Sequence, residues 1–188
     1  MKNHSGFTLI ETIITISIAV MIFMLVSAVY VLSQKVYLET DAKAELNQNG
    51  RVILDRMVRE IRQTPDIITQ LPATTDNPEQ LPSEIIFQEG HDLTDIRYIR
   101  YFMDGTDLKR QIIVYYFPSF PDYYVHSYDT GKEEPHDPPV IQVLEERVIG
   151  EYLDDIEFWG DGLLGINLYL AKNSQWIILN TAVYGRNL

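Results

Sequence analysis

Few side chains in this sequence have the types and spacing that chemistry needs. The four histidines, His4, His91, His126 and His136, have no i,i+4 partner and no His-Glu-x-x-His around them, so metal-ligand spacing is absent. No Gly-x-Ser-x-Gly, Walker A or Gly-x-Gly-x-x-Gly run occurs. There is no cysteine, which removes disulfides, thiolate zinc sites and thiol nucleophiles. Asp154, Asp155, Glu157 and Asp161 are the best candidate set for calcium, but the spacing is not that of an EF-hand, and exposed strand and turn carboxylates are the default reading, so no metal is expected. Tyr115, Tyr116, Tyr123, Tyr124 and Tyr128 gather in one stretch, to pack on a sheet or to meet a partner. These residues name no reaction, and the sequence predicts neither an enzyme nor a cofactor. Glu11 stands apart because of where it lies.

Residues 12–32 form 21 positions without a charge, Pro or Gly. As a helix they span roughly 31 Å, against about 30 Å of bilayer hydrocarbon. A soluble helix of that length keeps a polar face, and this one has none. The segment therefore predicts a single membrane span. Glu11 sits at its start, where a charge costs about 2.5–3.5 kcal/mol on insertion scales and so needs a reason. A secretory signal is the alternative, with Val26-Ser27-Ala28 as a small-residue cleavage site, but it leaves Glu11 without a role.

Gly6-Phe7-Thr8-Leu9-Ile10-Glu11, followed by the apolar run, resembles the processing motif of type IV prepilins and pseudopilins. The resemblance implies cleavage by a prepilin peptidase between Gly6 and Phe7, N-methylation of Phe7, and retention of the apolar segment. It also implies that the Glu11 carboxylate pairs with the Phe7 amine of a neighbouring subunit, relieving two costly charges at once and registering the helices axially. Many major pilins carry a proline midway along this segment; here the first proline is Pro65. Some pseudopilins bind calcium in the C-terminal half. The expected partners are other pilin or pseudopilin subunits and the peptidase. The short leader favours the N-terminus inside and the C-terminal part outside, and the resemblance implies a single-pass protein of the bacterial inner membrane, incorporated into a surface or periplasmic filament.

The elements that must position Glu11 follow from the spacing. No proline interrupts residues 7–64, and Gly50 is the only glycine after Gly6 in that stretch, which predicts one helix of about 55 residues ended by Pro65. Leu46, Ile53, Leu54, Met57, Val58 and Ile61 make an apolar stripe at helical spacing, suited to docking on a sheet. A partner coiled coil would need more heptads. Residues 65–83 hold four prolines and read as loop. Strands are expected at 84–89, 96–103, 108–117, 140–149 (where a helix also fits), 152–159, 164–170 and 176–184, with loop over 118–139. One helix followed by strands predicts an α+β fold, a long N-terminal helix packed on an antiparallel sheet. The expected parts are a leader at 1–6, a membrane half at 7–33, an amphipathic half at 34–64 and a β-rich head at 65–188.

The net charge of −12 is uneven. Residues 65–188 hold 21 Asp/Glu against eight Lys/Arg, and such a head repels phosphate backbones, so nucleic-acid binding is not expected. A finer resemblance is to J-type minor pseudopilins of type II secretion and to PilW-like minor pilins. It rests on Ile53 to Gln63, on Ile96-Arg97-Tyr98 through Leu108-Lys109-Arg110-Gln111, and on Thr181 to Asn187. It implies a minor subunit near a filament tip. The alternative is a ligand-binding subunit, an adhesin or a DNA-uptake protein, on the same stalk. Mass spectrometry of membrane-extracted chain should find methylated Phe7 as the N-terminus; an intact Met1, or a start at Val29, in cells with active prepilin peptidase would overturn the processing.

Overall fold

The computed structural model describes residues 8–76, 81–90, 96–130 and 138–185. The chain forms two compact units, Met1–Ala42 and Lys43–Leu188. Helix α1 (Leu9–Ile61) supplies the described part of the first unit and the opening of the second. Over the first unit's helix the large apolar side chains are exposed, from Leu9 at 82% to Leu38 at 65%.

In the second unit the character of α1 changes. Leu46, Ile53, Met57 and Ile61 are fully buried and Leu54 nearly so, as the stripe predicts, while Val58 is only partly covered. Each buried Leu or Ile contributes about 1.5–3 kcal/mol, so this stripe is the strongest local source of cohesion. The helix leaves its last full turn through tighter bonds, Gln63 N to Glu60 O and Thr64 N to Ile61 O, just before Pro65. Thr64 is fully buried. Its hydroxyl lies 2.7 Å from the Gln88 carbonyl and 2.8 Å from that of Asp66, tying the helix exit to the first strand.

The strands make two antiparallel sheets where one was expected. The first holds β1 (Ile85–Gln88), β2 (Tyr98–Asp104), β3 (Asp107–Phe117), β4 (Phe120–Val125) and β5 (Val140–Gly150). The second is a meander of β6 (Leu153–Trp159), β7 (Leu163–Lys172) and β8 (Gln175–Tyr184). The β2–β3 hairpin closes at Asp104 opposite Asp107, with Gly105 at φ 64°. The β7–β8 turn uses Asn173 and Ser174, both at positive φ, which the twist of a two-residue hairpin requires.

β3 pairs with β5 over Leu108–Tyr116 on one side. Its other side is shared by β2 and, further along, β4. β4 falls inside the expected loop. Pro121 and Asp122 are turn formers, yet β4 meets β3 at three positions only, and proline is tolerated in such an edge strand. In β5 the helix alternative loses to ladder pairing, with two register shifts absorbing the mismatch. Residues 66–69 of the proline-rich stretch also run along β1, through Gln88 N to Asp66 O and Ile68 N to Ile86 O.

One core joins the helix stripe to both sheets. It contains Phe87 and Tyr101 from the first and Ile156, Phe158, Ile166 and Leu168 from the second. Gly50 marks one close approach: a methyl there would sit 2.4 Å from Leu179 Cδ1 and 2.8 Å from Leu170 Cδ1. A polar anchor crosses this core. Glu60 on α1 accepts from Arg110 Nε at 3.0 Å and from the Tyr101 hydroxyl at 2.6 Å. Burial and the Glu60 charge hold the Tyr101 phenol far above its ordinary range, so it remains a donor. Arg110→Ala should cost about 3 kcal/mol in urea unfolding, because Glu60 loses its buried cation. Combining Arg110→Met with Glu60→Gln should recover most of that loss; no recovery would show that the charge pair is not the cause.

Candidate functional site

The described part of the candidate site begins at Thr8; Gly6 and Phe7 lie outside the described residues. Thr8 stands just before the first residue of α1, in the N-cap position, and Glu11 is the third residue of the helix. The two make a capping box. Thr8 N donates to Glu11 Oε2 at 3.0 Å, and Glu11 N donates to Thr8 Oγ1 at 3.3 Å. The Thr8 hydroxyl also donates to Oε2, at 3.1 Å. Oε1 takes part in none of these bonds. The carboxylate thus lies against the positive end of the helix and accepts from the Thr8 amide, while the Thr8 hydroxyl takes the Glu11 amide that a helix start leaves open.

The next hydroxyls are satisfied inside the helix. Thr12 Oγ1 donates to the Thr8 carbonyl at 3.3 Å, Thr15 Oγ1 to that of Glu11 at 2.7 Å, and Ser17 Oγ to that of Ile13 at 2.8 Å. None of these groups needs water, so the start of α1 suits a non-aqueous surrounding despite its polar residues. The helix is long and apolar enough to cross a membrane, with a mean hydropathy of 2.6 over its most apolar window and none of that window buried.

The other candidates do not converge on chemistry. Asp155 accepts from its neighbour's amide, Ile156 N, at 2.8 Å, and Glu157 accepts from Asn167 and Tyr169. Among the described residues no three His, Asp or Glu side chains gather to hold a metal ion. His126 Nδ1 lies 3.2 Å from the Tyr98 hydroxyl, and its ring stacks on Tyr128. His4, His91 and His136 fall outside the described residues. The tyrosine stretch divides. Tyr115 is buried edge-to-face against Tyr98, whereas Tyr123 and Tyr128 are exposed. Sequence reasoning passed over Thr8, although Thr8-x-x-Glu11 before an apolar run is itself a capping-box signal.

The chain is α+β, with a long N-terminal helix that is apolar where it starts and carries one capped carboxylate there, and with antiparallel β-sheets in the second unit. In comparison with known families, residues 1–29 match the prokaryotic N-terminal methylation motif, the signature of type IV pilins and pseudopilins. Comparisons with curated proteins and with solved structures gave no match. Thr8→Val should leave α1 apolar but remove the reciprocal bonds. Hydrogen exchange at the Leu9–Thr12 amides in detergent should then speed up about fivefold, the equivalent of about 1 kcal/mol of capping; unchanged exchange would show that the box does not hold the helix start.

Proposed function

We propose that this chain is a minor pilin or pseudopilin, a structural subunit of a type IV pilus or a type II secretion pseudopilus that acts in filament assembly or tip initiation. The observation that carries the reading is Glu11, a carboxylate at the start of an otherwise apolar, exposed helix, within the matched methylation motif. That motif supports a pilin-like or pseudopilin subunit, processed by prepilin peptidase and assembled with other such subunits. Proteins with it are in general structural and not catalytic.

In this reading residues 1–6 are the leader, cleavage falls after Gly6, and Phe7 becomes the methylated N-terminus. Before assembly the apolar helix anchors the chain once in the inner membrane with the head outside. The capping box makes Glu11 tolerable there by giving its charge hydrogen-bond donors within its own helix. On assembly the carboxylate takes the Phe7 amine of a neighbour, and this pairing sets the axial register. The apolar side chains then exchange lipid for neighbouring helices. A J-type or PilW-like place near a filament tip fits the motifs of the amphipathic half and of the head. The acidic head favours partners other than nucleic acid.

The test is Glu11→Ala in cells that make the filament. The variant should reach the membrane fraction in wild-type amount and be lost from sheared filaments by at least about tenfold, the cost of about 1.4 kcal/mol or more of pairing. Wild-type incorporation would remove the proposed role of Glu11.

A further inference from the structure

We propose that the outer face of the β6–β7–β8 sheet is a binding platform for a neutral glycan, a function beside filament assembly that does not rest on it. In this meander one face enters the core, through Ile156, Phe158, Ile166 and Leu168, and alternation turns the other outward. The strand registers lay the outward residues in rows. Trp159, Gly165 and Ala182 form one row, and Glu157, Asn167 and Asn180 the next. Asp155, Tyr169 and Ile178 form a third, with Trp176 beyond it opposite Ala171. Tyr184 stands at the other end, opposite Leu163. The chain has two tryptophans, and both are on this face. Trp176 is 70% exposed, Tyr184 72% and Ile178 46%. Large rings left in water contribute little to folding.

The face is preformed. The Trp159 indole lies so close over Gly165 that a methyl there would be 2.2 Å from its Cε2, so the ring rests on bare backbone. In the middle row Glu157 accepts from Asn167 Nδ2 at 3.0 Å and from the Tyr169 hydroxyl at 2.9 Å, which holds the polar groups in place before any ligand arrives.

The order of these rows selects the ligand. A protein interface has an apolar, charge-poor centre and a polar rim. Here a carboxylate and two amides occupy the middle, and aromatic rings flank them. A protein partner would bury Glu157 and have to supply its own cation. No Lys or Arg is among the outward-facing residues of the three strands, so Asp155 and Glu157 repel nucleic acids, sulfated sugars and anionic headgroups. A neutral pyranose fits both parts. Its C–H face stacks on an indole or phenol, and its hydroxyls donate to carboxylate and amide oxygens. The rows that flank the polar one lie about 14 Å apart, at about 3.4 Å per residue, which suits an oligosaccharide and not a single sugar.

Because both tryptophans lie on the face, intrinsic fluorescence reads the site directly. The full chain is taken in a zwitterionic detergent without a sugar headgroup and titrated with cellohexaose, chitohexaose, maltohexaose and mannohexaose up to about 10 mM. At least one should shift the emission saturably. Trp176→Ala, read from Trp159, should weaken that binding about tenfold or more with an unchanged unfolding temperature, since its ring is exposed. Tyr123→Ala, on exposed β4, should bind as wild type. No saturable shift with any of the four overturns the proposal. So does wild-type binding by a Trp176→Ala/Tyr184→Ala variant, or tighter binding of dextran sulfate than of the neutral sugars.

Discussion

Burial of one helix stripe holds the head together. The five-stranded and three-stranded sheets pair their strands separately, and Leu46, Ile53, Met57 and Ile61 enter a core to which both contribute. Without that stripe each sheet would leave part of its apolar face in water and lose the stabilisation that this burial contributes. Gly50 lets the helix come close enough to Leu170 and Leu179 for their side chains to pack directly on its backbone. The Glu60–Arg110–Tyr101 contact adds orientation more than net stability, because a buried ion pair recovers little beyond its desolvation cost.

The same helix obeys a different rule in the first unit. There the large apolar side chains are exposed, and the Thr12, Thr15 and Ser17 hydroxyls find partners along the helix itself. Glu11 is the extreme case, a carboxylate whose donors come from its own N-cap residue. Hydroxyls bonded within their own helix can move from lipid to a bundle of similar helices without becoming unpaired on the way. In the proposed reading that exchange is the working step of the subunit.

The two faces of the β6–β8 meander show how alternation divides labour. Inward residues are mainly aliphatic or aromatic and serve the core, with Thr181 opposite Ile166 and Lys172 opposite Gln175 as the polar ones. Outward ones are a mixture of rings, amides and carboxylates that folding does not require. Gly165 serves the outer face, because the strand pairing is indifferent to its missing side chain but the Trp159 ring is not.

Much of this protein was legible in the residues themselves. The absence of proline and the 3.6 spacing foretell α1 and its buried stripe. Strict alternation foretells β7, and Asp104-Gly105-Thr106-Asp107 foretells the β2–β3 hairpin. Gly6, Phe7 and Glu11 stand out as a candidate site because a short motif beside an apolar run is a local signal. β4 was hidden, since Pro121 and Asp122 read as loop and only pairing with β3 made the strand. For β5 the pattern left helix and strand open until the ladder decided. The division into two sheets, the union of Glu60 with Arg110, and the gathering of Trp159 and Trp176 on one face were decided by tertiary structure. Each depends on contacts between residues far apart in the chain, and periodicity reports which face a residue takes within its own element but not which distant element lies against it.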